Sequence, residues 1–303
     1  MMQEVINLRE AVLGLVLGRR DREVLNRHPE DAAAPDQPPL DGQALSAAIK
    51  AAVNGFKAAA MDAEGRTVNY AQLRTSPAYA DYQTRLTPQL ARYDPARLAS
   101  RSERLAFWIN LYNALVIDAV IAYDVRTSVT SQWAGLGFFR RAAYLIGGQR
   151  CSLEDIEHGI LRANRGNPFL PGPQFGANDP RRAWMVEPLD PRIHFALNCA
   201  SRSCPPIGIY SADLIEDQLE LATRSFVDSD VVIDQARNQV QISQIFRWYR
   251  DDFDGPLGIV ALLRRTLPDD PRRAWLMQAN RGQLAYRDYD WGLNSVGSNT
   301  YYP

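Results

Sequence analysis

The sequence predicts an α+β fold, in which a central helix packs on a mainly antiparallel sheet and a helical arm extends at the N-terminus. Three observations lead to this class. One long stretch, residues 104–123, is apolar at helical spacing. Short strand-like segments and hairpin turns follow it. Helices and hairpins also succeed one another without the regular strand–helix alternation of a parallel sheet, and 303 residues with 46% hydrophobic content suffice for one large domain.

Residues 1–39 are predicted to form an amphipathic helical arm and a linker. The helix lies within residues 3–27 and carries apolar side chains at helical spacing, at Val5, Leu8, Val12 and Leu15 or Val16. Such a face either packs on the domain or mediates a homo-oligomer. Residues 29–39 are rich in Pro and Ala, which is typical of a linker. Residues 40–303 are then expected to form a single α+β domain, beginning with a helix capped by Asp41.

The central helix has a clear start signal and two unusual polar residues. Ser100 and Glu103 match a capping box immediately before the apolar stretch. Asn110 and Asn113 lie three residues apart on a helix that is apolar around most of its circumference. Two interpretations stay open for these amides. The favoured one is hydrogen bonding to the backbone of a neighbouring loop, and the other is binding of a substrate or an oxyanion.

Hairpins, helices and strands are predicted over the rest of the chain. Gly147 and Gly148 mark a hairpin turn, and Ser152 with Asp155 caps the next helix. Residues 183–188 and 192–199 are predicted strands, because apolar side chains alternate in the second and the first has strand-like composition. A helix from Ser211 to Phe226, a hairpin around Arg237 and Asn238, and a closing strand within 283–294 complete the list.

Composition excludes several functional classes. The chain has 34 basic and 35 acidic residues, so nothing indicates general attraction to nucleic acid or to an anionic membrane. No apolar run approaches the roughly 20 residues of a membrane span, and Glu4, Arg9 and Glu10 interrupt the N-terminus where a signal peptide is apolar. The 3 cysteines are too few for a disulfide scaffold. We therefore expect a cytoplasmic protein without cofactor, nucleic-acid partner or membrane span.

The segment 192–206 is where chemistry is expected. A predicted strand ends at Cys199, and Ala200 to Ser203 form a turn whose amides, with Asn198 and Ser201, are placed to bind an oxyanion. Cys204 is the second candidate nucleophile, but Pro205 after it restricts its backbone. Cys199 is therefore preferred over Cys204 as nucleophile.

Three histidines are candidate bases. His28 lies next to the linker, where it is expected to be solvated. His194 has the opposite strand parity to Cys199, so in an unbroken strand it points away from the thiol. His158 comes from a different element and is the preferred base. Arg192 is a candidate for binding a substrate carboxylate or a glutamate of the site, although a surface ion pair is the more common role.

Five motifs carry a family resemblance. They are FWINLYNAL, SLEDIEHGILR, RIHFALNCASRSCPPI, FRWYRDDF and YDWGLN, within about Val68 to Asn294. Together they resemble the domain-of-unknown-function 547 family (DUF547), whose members are likened to papain-like thiol hydrolases with a Cys, His and Glu constellation. The resemblance implies a papain/transglutaminase-like fold, with a cysteine of NCASRSC as nucleophile and His158 and Glu157 as its companions.

These observations give three hypotheses about function. The leading one is a cysteine-dependent hydrolase or acyltransferase, in which Cys199 attacks a peptide or other amide or thioester carbonyl and His158 transfers protons. A zinc site formed by Cys199, Cys204, His158 and His194 is the second, ranked lower because the CxxxxC spacing is loose. The third is a non-catalytic module that binds a peptide or partner on the same fold.

Overall fold

A computed structural model describes residues 2–17, 23–26, 40–131, 136–278 and 283–296. Its α-helices are α1 (Met2–Leu17), α2 (Gly42–Ala60), α3 (Tyr70–Arg74), α4 (Pro77–Asp81), α5 (Thr87–Leu90), α6 (Arg101–Ala122), α7 (Leu136–Arg141), α8 (Ile215–Asp230), α9 (Gln244–Trp248), α10 (Gly255–Thr266) and α11 (Pro271–Leu276). Its strands are β1 (Ala143–Ile146), β2 (Gln149–Ser152), β3 (Val232–Asp234), β4 (Gln239–Ile242) and β5 (Gln283–Tyr286). Short 3₁₀ and π segments connect them.

Helix α6 is the centre of the protein. The predicted capping box is present, because Ser100 Oγ accepts from the Glu103 amide and the Glu103 carboxylate accepts from the Ser100 amide. All side chains from Leu105 to Ile121 are buried. The predicted packing of this helix on a sheet is wrong, since its principal neighbours are α2, α3 and α8. A helix of 22 residues is about 33 Å long, and strands of 3 or 4 residues cannot cover it.

The same helix bears on the expectation about membrane spans, which stays a prediction. Among the described residues, α6 is long and apolar enough to cross a membrane by length and composition. However, 94% of its most apolar window is buried inside the protein. Burial against other helices therefore accounts for its apolar character without a bilayer.

The sheets are small and support the α+β class. Strands β1 and β2 form the predicted hairpin, with Gly147 and Gly148 both at positive φ in its turn. Strands β3 and β4 form the second predicted hairpin, and β5 adds to β4 in parallel. The sheets are therefore mainly antiparallel as predicted, with one parallel pairing that the sequence pattern did not indicate.

Both strands predicted before Cys199 are wrong. A 3₁₀ helix, Pro180–Trp184, overlaps the start of the first segment, whose remainder is irregular, and a second, Pro191–Phe195, replaces the first half of the other. Each begins at an Asp-Pro pair, in which the aspartate accepts a hydrogen bond from the amide two residues later and proline occupies the first turn. This local capping outweighs the alternation of apolar side chains in residues 192–198.

Helix α1 packs on the domain through a face next to the predicted one, and Val5 of the predicted face is half-buried. Its buried residues are Ile6, Arg9 and Leu13, whereas Leu8, Val12, Leu15 and Val16 are exposed. The reason is Arg9, whose guanidinium donates to the carbonyl oxygens of Pro171, Pro173 and Gln174. A homo-oligomer through the exposed apolar stripe stays a prediction. The proposed linker, residues 29–39, and His28 lie outside the described residues.

Candidate active site

One cavity of about 660 Å³ opens where two hydrophobic cores meet, one around α6 and one around α8, α9 and α10. Aromatic side chains form much of its wall, namely Tyr112, Phe139, Phe169, Trp248, Tyr249, Tyr289 and Trp291. Its polar lining includes Glu154, Glu157, His158, Asn167, His194 and both cysteines of the 199–204 loop. Cys199, His158 and Glu157, predicted together, therefore meet at one cavity.

The two candidate nucleophiles form a disulfide, which corrects the prediction of a free Cys199 thiol. Cys199 and Cys204 are bonded, with their Cα atoms 6.1 Å apart. Asn198 shapes the loop between them, because its Oδ1 accepts from the Ala200 amide and its Nδ2 donates to the Pro205 carbonyl, 2.6 Å away. Ala200 takes a left-handed φ of 63°. The loop thus turns back on itself and brings the two sulfurs together.

The C-terminal segment fixes this loop from outside. The Arg202 amide donates to the Gly292 carbonyl at 2.8 Å, and the Asn294 amide donates to the Ala200 carbonyl at 3.0 Å. Of the amides predicted for an oxyanion, those of Ala200, Arg202 and Ser203 are consequently engaged, since each donates to an acceptor of the protein. The YDWGLN motif therefore serves to hold the cysteine loop.

Tyr289 places a hydroxyl between the two sulfurs. Its oxygen lies 3.3 Å from Cys199 Sγ, 3.2 Å from Cys204 Sγ and 3.1 Å from the Ser201 hydroxyl. A disulfide sulfur carries no hydrogen, so the hydroxyls donate and the sulfurs accept. Burial raises the pKa of Tyr289 well above its ordinary value, which keeps the phenol protonated and able to donate. Ser201 thus lies at the site as predicted, beside a tyrosine that was not predicted.

A π-helical segment, Asp155–Leu161, presents Glu157 and His158 to the cavity. The helix begins at the predicted cap, because the Ser152 amide donates to Asp155 Oδ2 and the Asp155 amide donates to Ser152 Oγ. Consecutive residues on an α-helix do not share a face. The wider i→i+5 turn reduces the angle between neighbours, so Glu157 and His158 both reach the cavity wall.

Glu157 is an ionised carboxylate held by two tyrosines. Oε2 accepts from Tyr112 at 2.9 Å, and Oε1 accepts a short hydrogen bond from Tyr249. Burial alone would raise the pKa of Glu157, but the Tyr249 hydrogen bond and the charge of Arg162 bring it below the ordinary value. Glu157 Oε1 is 3.8 Å from His158 Nδ1, which is too long for a hydrogen bond.

His158 is neutral, with its proton on the nitrogen that faces away from Arg162. Burial lowers the pKa of His158 to about 4, opposed by Glu157 and assisted by the charge of Arg162. Arg162 Nη1 lies 3.2 Å from His158 Nδ1. A guanidinium can only donate, so Nδ1 accepts and Nε2 carries the proton. Among the described residues, no hydrogen bond joins His158 to Cys199. The predicted role of His158 as base therefore does not fit this arrangement, which makes its Nε2–H a donor.

The strand-parity argument set His194 aside, but in the structure its side chain is paired with Asp252 and Tyr249. Its Nε2 donates to Asp252 Oδ2 at 2.8 Å, and its ring stacks on Tyr249 with centroids 3.8 Å apart. Asp252 also accepts from Arg162 Nε at 2.6 Å. Burial lowers the pKa of His194 despite this partner. Asp252 and Tyr249 belong to the FRWYRDDF motif, which was the available sequence signal for them.

Three further predicted residues, like Asn198 and Ser201, do not belong to the cavity lining. Asn110 exchanges both amide hydrogen bonds with the backbone of Tyr210, and Asn113 bonds to the backbone of Ala196 and Asn198. These contacts agree with the favoured backbone interpretation of the two asparagines. Arg192 is paired with Asp190 and Glu216, the common role for a surface arginine.

The comparison with known families agrees with three of the five motifs, since FRWYRDDF and YDWGLN lie outside the matched residues. Residues 95–227 match the family described as "Protein of unknown function, DUF547". This DUF547 match supports the family resemblance and includes α6, the π-helical segment and the cysteine loop. No curated protein matches the chain. No solved structure matches it either, so the papain/transglutaminase-like fold stays a prediction.

The metal-site alternative gains no support from the arrangement of these side chains. Cys199 and Cys204 bind each other, and His194 binds Asp252. Within the described ranges, no group of three or more His, Cys, Asp and Glu side chains is arranged to hold a metal ion.

Proposed function

We propose that the cavity is the active site of a cysteine-dependent hydrolase or acyltransferase. The proposed substrate carries a peptide bond, another amide or a thioester, and its carbonyl carbon is the point of attack. One observation carries the proposal. Cys199, His158 and Glu157, which are distant in sequence, line a single apolar cavity large enough for a small ligand. The proposal includes a papain-like or transglutaminase-like fold and acyl-transfer chemistry.

The proposed reaction begins with reduction of the disulfide. A dithiol or phosphine reductant supplies two electrons, the S–S bond breaks, and both cysteines become thiols. The Cys199 thiol loses its proton to water, and the thiolate attacks the carbonyl carbon, forming a C–S bond. The C–N or C–S bond to the leaving group then breaks, and the leaving group takes a proton from water. Water or another acceptor takes the acyl group and regenerates the thiol. His158 Nε2–H serves as a neutral donor to the developing oxyanion, as a neutral imidazole can.

The test of this proposal is the reactivity of Cys199. The oxidised protein should not react with iodoacetamide, and after reduction Cys199 should be alkylated with a pH midpoint below about 8.5. Peptide mass spectrometry identifies which cysteine is labelled, and Cys151, buried with a raised pKa, is the internal negative control. A midpoint at or above that of an ordinary thiol, or no labelling of Cys199 after reduction, would contradict an activated nucleophile.

Replacing Tyr289 should make the thiolate harder to form. Tyr289→Phe removes the hydroxyl next to Cys199 Sγ, and a hydrogen bond to a charged group contributes about 1.5–3 kcal/mol. The alkylation midpoint of Cys199 should therefore rise by about one pH unit. Tyr286→Phe is the matched control, because Tyr286 lies on β5 and contacts neither sulfur. An unchanged midpoint in Tyr289→Phe would remove Tyr289 from the mechanism.

A non-catalytic binding module is the second candidate function. The disulfide is the specific observation in its favour, because it engages both of the cysteine sulfurs that line the described cavity. A binding module would hold its ligand equally well before and after reduction. Measuring ligand affinity and turnover in both redox states separates the two candidates.

A further inference from the structure

The lining of the cavity carries acidic groups without basic ones among the described residues. Two carboxyl groups, Glu154 and Glu157, reach it, and no Lys or Arg belongs to the lining among the described residues. The two lining histidines are neutral at physiological pH because burial lowers their pKa values. The wall is therefore negative, although its surroundings are mostly apolar.

Glu154 is the carboxyl group that lacks a full set of partners. It is buried, with 3% of its surface exposed, and it lines the cavity. Within the described chain its one hydrogen bond is from Asn167 Nδ2 to Oε1, at 3.1 Å. Glu157, by contrast, accepts from a tyrosine at each oxygen. Oε2 of Glu154 has no donor among the described residues and is not one of the fully enclosed unpartnered atoms, so a donor that enters the cavity can reach it.

The protein supplies only a partial counter-charge. The charge of Arg140 acts on Glu154, but the Arg140 guanidinium is also paired with Glu10, which does not line the cavity. Burial raises the pKa of Glu154 to about 7, even though Arg140 opposes the rise. A second positive charge near this carboxyl would therefore be stabilising.

An aromatic wall stands in the same cavity. Trp248 stacks with Trp291 at 5.5 Å between ring centroids, and Tyr289 lies 4.9 Å from Trp248 and 4.7 Å from Trp291. Phe169 closes the cluster at 6.2 Å from Trp248. Faces of Trp and Tyr attract organic cations and also accept apolar stems.

We propose that the cavity binds a ligand with a protonated amine or guanidinium on an apolar stem, and that Glu154 is the counter-charge for this cation. The inference rests on the cavity being the site of the proposed function and names its substrate class, an acyl compound with a cationic side chain. It concerns binding, which does not require a free Cys199.

Binding to the oxidised, full-length protein tests the inference separately from catalysis. The probes are 4-phenylbutylamine, 4-phenylbutan-1-ol and 4-phenylbutanoate, which share one skeleton and differ in the charge of the end group. Fluorescence of Trp248 and Trp291, checked by calorimetry, reports binding. We expect the amine to bind about tenfold more tightly than the alcohol, equivalent to about 1.4 kcal/mol, and the carboxylate to bind most weakly.

Glu154→Gln should abolish this preference, so that the amine and the alcohol bind with about equal affinity. Glu64→Gln, on an exposed loop, is the matched control and should keep the preference. An equal affinity for amine and alcohol, a preference for the carboxylate, or a preference that survives in Glu154→Gln would overturn the inference. None of these outcomes depends on whether reduced Cys199 is catalytic.

A second measurement applies if Glu154→Gln does not fold. In the unmodified protein the preference for the amine should increase from about pH 6 to about pH 8 as Glu154 ionises. The other charged groups acting on Glu154 are Arg140, Asp155 and Glu10, and side chains of these types do not ordinarily titrate in that range. A preference independent of pH would also contradict the role of Glu154.

Discussion

Asp252→Ala should lower the free energy of unfolding by about 3–5 kcal/mol, because it leaves a buried charge without its partner. The Asp252 side chain is 1% exposed and accepts hydrogen bonds from His194, Arg162 and Arg165. Arg162 is itself 6% exposed. Removing Asp252 therefore leaves the Arg162 guanidinium in the interior with His158 and a backbone carbonyl as partners.

Urea unfolding followed by circular dichroism measures this loss. Asp251→Ala is the matched control, since the Asp251 side chain is 87% exposed and pairs only with Arg250 among the described residues. Its effect should be within about 0.5 kcal/mol. Equal losses in the two variants would show that the Asp252 network does not stabilise the fold.

The difference between Asp252→Ala and the parent protein should also depend on pH. Burial opposes ionisation of Asp252, but His194 and Arg162 together hold its pKa well below the ordinary value. A carboxyl whose pKa is depressed on folding stabilises the protein above the unfolded pKa of about 3.9 and loses this contribution as pH falls further. The two proteins should therefore differ most near neutral pH and converge below about pH 4.

Local signals in the sequence predicted much of the fold. The capping boxes at Ser100 and Ser152 and the turn at Gly147 and Gly148 act over a few residues, and all three are present in the structure. Such features depend on backbone groups that each segment must satisfy by itself. They could be predicted because no distant part of the chain competes for them.

The two segments wrongly predicted as strands carry a local helix-start signal, although their apolar pattern favours a strand. Asp-Pro pairs at 94–95, 179–180, 190–191 and 270–271 all begin helices, and in each the aspartate accepts from a nearby amide. At three of them an arginine two residues after the aspartate also pairs with its carboxylate. This repeated pattern predicts a turn in place of the strand over 192–199. The parity argument against His194 depends on that strand, so it no longer applies.

The arrangement of the site could not be derived from local pattern. Tyr289 reaches the cysteine loop across the closing segment, and Asp252 reaches His194 from beyond α9. These contacts depend on how α8, α9 and α10 pack, which neither spacing nor propensity specifies. The motifs nevertheless contained the residues, since FRWYRDDF supplies Tyr249 and Asp252 and the terminal motif begins at Tyr289.

Exchanging either cysteine for serine should have opposite effects on activity. Cys204→Ser frees Cys199 from its disulfide, so this variant should hydrolyse an acyl thioester without a reductant. Cys199→Ser should be at least about 10³-fold less active under all conditions, because a serine hydroxyl without a base is a poor nucleophile. The unmodified protein should be inactive when oxidised and should become active on reduction.

A thioester of Nα-acetyl-lysine is the substrate for this comparison, with a phosphine as reductant and chromatography of the released acid as readout. The phosphine adds no competing thiol. Activity in Cys199→Ser but not in Cys204→Ser would transfer the nucleophile to Cys204, contrary to the restriction that Pro205 places on it. No activity in Cys204→Ser or in the reduced protein, with amine binding intact, would contradict catalysis and leave a cavity that binds cationic ligands without transforming them. Binding and turnover are measured on the same variants. Turnover that appears when the Cys199–Cys204 disulfide is opened indicates an enzyme, and binding without turnover indicates a binding module.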